Sequence, residues 1–114
     1  MPKLKRLEFY ADAVRAEIRS WPDRAKKDLG DQMREIQAGG MPARAKRLPD
    51  VGKGAIQCKT NGYRTIVTVA IDDEVWIVHA FKKDAARGNK TRKHEMDLAK
   101  QRVEALLAKH ATRH

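Results

Sequence analysis

The dipeptide Asn61-Gly62, set between two β-rich runs, constrains this chain more than any other pair of residues. A type I′ turn needs positive φ at both central positions, and Asn and Gly reach it at least cost. The run before it and the run after it are therefore expected to form an antiparallel hairpin. A second turn at Asp72-Asp73 leads into EVWIVHAFKK, so Ala55 to Lys83 reads as a three-stranded meander.

Two-residue turns fix the register. The first hairpin pairs Thr60 with Tyr63, Lys59 with Arg64, Cys58 with Thr65 and Gln57 with Ile66. The second pairs Ile71 with Glu74, Val67 with Val78, Ile66 with His79 and Arg64 with Phe81. Directly opposed residues share a face, and faces alternate along each strand. One face is then expected to hold Ile56, Cys58, Val67, Val69, Ile71, Trp76, Val78 and Ala80, a core face. The other holds Gln57, Lys59, Arg64, Ile66, Thr68, Val75, Ile77, His79 and Phe81, with Lys83 just beyond. That second face is apolar at one end and cationic at the other. A one-residue slip would rearrange both sets.

Helical periodicity surrounds the meander. After a short strand at Leu4 to Phe9, Ala11, Val14, Ile18 and Trp21 recur at helical spacing, and Pro22 breaks the run. Ala25, Leu29, Met33 and Ile36 make a second stripe, which Gly39-Gly40 end. These two helices read as a hairpin. Met41 to Gly54 reads as a loop carrying Arg44, Lys46, Arg47 and Lys53. A last helix is expected from an N-cap at Thr91, with Met96, Ala99, Val103, Leu106 and His110 on one stripe. The 114 residues are expected to form one α+β domain, residues 1–114.

The net charge of +10 is unevenly spread: residues 41–64 carry a net +5 and residues 82–114 a net +6, whereas 65–81 carry −3. A basic surface of this kind attracts polyanions by counterion release. It fits nucleic acid better than membrane, because the basic segments lack the apolar face of an interfacial helix. No apolar run approaches the ~20 residues of a membrane span. No secretory signal is expected, one cysteine excludes an intrachain disulfide, and the cytoplasm is the expected compartment.

Residue types narrow the chemistry. Metal-free RNA cleavage uses the ribose 2′-hydroxyl as nucleophile and needs a base, an acid and cations for the developing phosphorane charge. Arg64 and Lys59 suit charge stabilisation, since an arginine fork grips two phosphate oxygens. Lys83 suits phosphate binding or proton transfer. His79 has two readings, a proton shuttle or a hydrogen-bonded core histidine against Ile66. No His/Cys/carboxylate spacing suggests zinc or another metal, no cofactor is implied, and Cys58 faces the expected core. Gly52-Lys53-Gly54 lacks the length and following helix of a phosphate loop. The scattered Tyr10, Trp21 and Tyr63 offer no base-stacking platform. No helix pair has the spacing of a helix-turn-helix reader.

From about Leu7 to Leu107 the sequence resembles toxins of the RelE superfamily, specifically the HigB-like, phage-derived branch. The resemblance rests on Trp21-Pro22 before a helix, MREIQAGGMP, KRLPDVGKGAIQCK, Tyr63-Arg64, VHAFKK and DLAKQR, in that order. It implies a RelE-like fold: a small antiparallel sheet packed by an N-terminal helical hairpin, with a C-terminal helix. It further implies the toxin of a type II toxin-antitoxin system, a metal-independent, ribosome-dependent mRNA endoribonuclease that inhibits translation. Its partners would be mRNA, the ribosome and a small helix-turn-helix antitoxin. Arg64 matches the family arginine after the tyrosine, Lys59 stands where arginine is more usual, and Lys83 matches the first lysine of the FxKK run. Asp84 replaces the second lysine, Arg92 follows Thr91 where proline is common, Gln57 replaces a glutamate, and the loop Asp84–Lys90 is longer than usual. The expected catalytic set is Arg64, Lys59, Lys83 and His79. Arg44, Lys46, Arg47, Lys53, Lys82, Arg87, Lys90, Arg92 and Lys93 are expected to contact RNA or ribosome. The rival reading is a non-catalytic nucleic-acid- or partner-binding module on the same fold.

Overall fold

In the computed structural model the described residues are 3–83 and 88–111, with side chains of the last helix from 92 to 110. Strand β1 (Arg6–Phe9) leads into helices α1 (Asp12–Arg19) and α2 (Asp23–Gln37). Strands β2 (Ala45–Arg47), β3 (Ala55–Thr60), β4 (Tyr63–Thr68) and β5 (Glu74–Lys82) follow, and α3 (Gly88–Ala111) closes the chain. The sheet order is β1-β5-β4-β3-β2. All neighbours are antiparallel except β1, which runs parallel to β5.

Local chemistry sets the element ends. Pro22 (φ −58°) caps α2, with Trp21 buried just before it and its indole N–H donating to Glu17 Oε2 at 2.8 Å. At the other end Gly39 takes φ +93°, and the amides of Gly39 and Gly40 donate to the carbonyls of Ile36 and Glu35. That pair of bonds is a Schellman cap, open to glycine because its left-handed conformation carries no Cβ penalty there.

The Asn61-Gly62 turn forms as expected, with φ of +42° and +85°. The β3/β4 register is the anticipated one throughout. The second hairpin departs from expectation. Ile66 faces His79 and Arg64 faces Phe81, but Val67 then faces Ile77 and Thr68 faces Trp76. Val78 is the extra residue of a β-bulge. Beyond it the faces swap: Val75 and Ile77 pack toward α1 and α2, whereas Trp76 and Val78 pack toward α3. Ile71 also joins the α3 side. Strand pairing ends at Thr68–Trp76, so the connection is longer than two residues. The run Val75-Trp76-Ile77-Val78 is apolar at every position, so side-chain alternation does not pin its register; helices cover both faces, so either phase buries apolar surface.

Two further corrections concern the flanks. The expected loop 41–54 contains β2, a three-residue edge strand of Ala-Lys-Arg that pairing with β3, not intrinsic pattern, creates. Helix α3 starts at Gly88 rather than after a Thr91 cap. Its stripe is as anticipated: Ala99, Val103, Leu106 and His110 are buried and Met96 is half-buried. With Val51, Ala55, Ile66, Ile71 and Val78, the apolar members of that stripe form a second core over the sheet face that carries Arg64.

Candidate nucleic-acid interface

The sheet presents its polar residues in rows under and beside α3. Lys59 of β3, Arg64 of β4 and Phe81 of β5 are consecutive direct partners. The neighbouring row runs Lys46, Gln57, Ile66, His79 from β2 to β5. Lys59 is exposed, Arg64 and Phe81 are half-buried, and Gln57, Ile66 and His79 are buried. Each row therefore grades from solvent at the β2–β3 edge to core near β5.

Like charges placed directly opposite each other weaken a sheet. Lys59 and Arg64 are such a pair, and α3 brings a third cation. Burial, then the charge of Arg92, hold the Arg64 guanidinium below its ordinary value. Among the described residues no carboxylate pairs with Lys59, Arg64 or Arg92. Lys59 is held in place through its backbone: Gln32 of α2 donates to its carbonyl at 2.8 Å. Lys83 lies beside this group, its amide donating to Gly62 O at 2.7 Å and its side chain exposed.

His79 sits differently from the three cations. It is 8% exposed, its Nε2 is 2.6 Å from Glu95 Oε2, and Arg102 Nη1 is 3.2 Å from its Nδ1. A guanidinium has no lone pair to offer, so Nδ1 must accept. The ring is then the neutral Nε2–H tautomer, donating to the Glu95 carboxylate. Arg102 Nη1 also donates to Val78 O at 2.8 Å, and its guanidinium lies 5.2 Å from the Tyr10 ring centre. Burial pushes the imidazole below its ordinary value, against the opposing pull of Glu95, while Arg102 and His94 push with burial. With both ring nitrogens engaged, the geometry favours the buried, hydrogen-bonded histidine over the proton shuttle.

A groove of about 550 Å³ runs between the β2–β3 connection and α3. Lys46, Arg47, Leu48 and Pro49 line one wall and Arg92, Met96 and Lys100 the other, with Asp50 and Asp97 also present. Lys53 and Arg47 line a smaller hollow of about 270 Å³. Two glycines make the close approach possible. A Cβ on Gly52 would meet Val103 Cγ1 at 2.6 Å, and one on Gly54 (φ +70°) would meet the Ala70 backbone N at 2.8 Å.

The structure thus gathers Lys59, Arg64 and Arg92 into one cationic group, seats Lys83 beside it, and lines the adjoining groove with Lys46, Arg47 and Arg92. Arg44 instead pairs with Asp28, its Nη2 donating to Oδ1 at 2.6 Å and to Oδ2 at 2.7 Å, which gives it a carboxylate partner. Lys82 pairs with Tyr63, whose ring packs 4.6 Å from Trp21 on the opposite face. Lys93 is exposed on α3. Arg87, Asp84 and the side chain of Lys90 lie outside the described residues. Lys100, which lines the groove, and Glu95 and Arg102, which hold His79, are charged residues of this region that the sequence reading did not place here. Cys58 is fully buried, and burial, then Asp28, push its thiol up to about 12. Among the described residues no group of three His, Cys, Asp or Glu could hold a metal ion. Among the same residues no helix is long and apolar enough to cross a membrane.

The family described as "Phage derived protein Gp49-like (DUF891)" matches residues 16–104. Among solved structures, a chain of the toxin-antitoxin complex RelBE2 from Mycobacterium tuberculosis superposes with a TM-score of 0.51 at 16% sequence identity. The match covers 70% of this chain and 92% of that chain, and at this identity it shows a shared fold. A comparison with curated proteins finds no match.

Proposed function

The chain belongs to the Gp49-like phage-derived family and has the fold of RelE-superfamily toxins, and from that premise we propose that it is the toxin of a toxin-antitoxin system and cleaves mRNA without a metal. The observation that carries the nuclease reading is the Lys59–Arg64 cross-strand pair with Arg92 beside it. Among the described residues these three cations have no carboxylate partner, and a bound phosphodiester would supply the negative charge.

In this reading Arg64 and Lys59 hold the scissile phosphate and stabilise its transition-state charge. The 2′-oxygen bonds to phosphorus, the P–O5′ bond breaks, and the net proton moves from O2′ to O5′. The products are a 2′,3′-cyclic phosphate and a 5′-hydroxyl. Lys83, one residue past the end of β5, protonates the leaving oxygen in this reading. His79 takes no part in proton transfer, because both its nitrogens are held by Glu95 and Arg102. The strand continues along the groove between β2 and α3, past Lys46, Arg47 and Lys100, and the ribosome presents the message. The complex that the RelBE2 chain forms supports an antitoxin as the protein partner.

The engagement of both His79 ring nitrogens by Glu95 and Arg102 favours, as a second reading, a phosphate-binding module that does no chemistry. Inducible expression separates the two. The nuclease reading expects growth arrest with transcripts cut at discrete sites. Intact transcripts under full expression contradict it.

A further inference from the structure

Two glutamines of α2 donate to backbone carbonyls at opposite ends of the sheet order. Gln37 Nε2 reaches Lys5 O at 2.8 Å, just before β1. Gln32 Nε2 reaches Lys59 O at 2.8 Å and lies 3.1 Å from Thr60 Oγ1. The β2–β3 pairing ends at Ala45 and Cys58, so no β2 residue is paired with Lys59, and Gln32 supplies that carbonyl's donor from α2. Gln32 is 6% exposed, and its Oε1 is buried with no hydrogen-bond partner among the described residues. A buried acceptor left unpaired costs stability, so what this amide contributes is its donor end. Behind it, Gln32 Nε2 lies 3.3 Å from Asp28 Oδ2, and both Asp28 oxygens accept from Arg44 Nη2. Arg44 stands two residues before Lys46, which lines the groove.

We infer that Arg44, Asp28 and Gln32 form a positioning relay that holds Lys59 opposite Arg64 and ties the phosphate grip to the groove wall. The inference deepens the proposed RNA reading and rests on it. Lys59 and Arg64 repel each other across the hairpin. They form the pair next to the last of the β3–β4 ladder, where few further bonds oppose splaying. Gln32 opposes it from α2, which packs on the sheet face away from the cations. The relay therefore sets where the Lys59 ammonium stands without adding a charge to the RNA surface. Arg44 acts on RNA through Lys59, not by touching it, because its guanidinium is turned to Asp28.

The test is a double-mutant cycle on the whole chain, read by binding of a short fluorescent single-stranded RNA at low salt. Gln32→Met is expected to weaken binding about fivefold in the wild-type background and by less than about twofold in a Lys59→Ala background. Arg44→Gln is expected to show the same dependence on Lys59 with a loss of about threefold, and keeps the test decisive should Gln32→Met fold poorly. Gln37→Met removes a bond of the same length to a carbonyl beside β1 and is expected to lower the melting temperature without changing RNA affinity. A purely structural role would lower stability in all three variants and leave no coupling to Lys59. Unchanged binding by Gln32→Met, or equal losses with and without Lys59, overturns the inference. So does an Arg44→Gln chain whose salt slope falls by about one in both backgrounds, the sign of a direct phosphate contact. Wild type that binds no RNA overturns the RNA reading and the inference with it. Wild type that binds with the expected coupling but leaves mRNA intact overturns the nuclease reading alone, and wild type that cleaves mRNA without the coupling overturns the relay alone.

Discussion

Arg102 donates to Nδ1 of His79 at 3.2 Å, and this one contact decides what the histidine is. It forces the neutral tautomer and leaves the Nε2 proton for Glu95. Because the folded-state value is lowered, His79 is neutral in the native chain at a pH where the unfolded chain already binds a proton. Stability is therefore complete above the unfolded histidine value of about 6.5 and falls as pH drops below it. Urea unfolding at descending pH is expected to show this loss. His79→Gln is expected to flatten the pH profile. An unchanged slope in that variant contradicts the assignment.

Gly52 lets the β2–β3 connection touch Val103 of α3, where a Cβ would lie 2.6 Å from Cγ1. Gly52→Ala is expected to lower stability by about 1–3 kcal/mol through overpacking. Amide exchange is expected to speed up first in α3, since the helix is what the added methyl displaces. Uniform exchange changes across the sheet would place the strain elsewhere.

Cys58 is fully buried and its thiol is pushed up to about 12. An aromatic disulfide reagent at neutral pH is expected to leave native protein unlabelled and to label it on unfolding. Rapid native labelling would show that the packing between α2 and β3 is looser than described.

Arg92 raises the electrostatic cost of Arg64. Arg92→Gln is expected to leave stability unchanged or raise it by a few tenths of a kcal/mol, by relief of like-charge repulsion. The same change is expected to weaken RNA binding and reduce its salt slope by about one. A clear loss of stability with unchanged binding would make Arg92 structural.

The sequence made the functional end of the sheet legible for a specific reason. At Asn61-Gly62 the turn chemistry and strand alternation agree, so Lys59 could be placed opposite Arg64 from residues alone. The other end was illegible because Val75 to Val78 are all apolar and both sheet faces are covered. No period survives there to reveal the bulge that sends Val75 and Ile77 one way and Trp76 and Val78 the other. Glu95 and Arg102 were hidden for a different reason. On a basic helix they look like solvated charges, and only the docking of α3 on β5 turns them inward. Phe81 falls opposite Arg64 in both the expected and the observed register, whereas its half-burial is a fact of the fold.

The central claim is that the Arg64-centred cations cut mRNA. The most direct measurement maps transcript ends in a cell-free translation reaction supplied with purified wild-type chain or with Arg64→Ala. Cleavage at discrete positions by wild type, with a loss of about 100-fold or more in Arg64→Ala, is the predicted result, the scale of removing one transition-state charge donor. Equal cleavage by both chains would contradict the account.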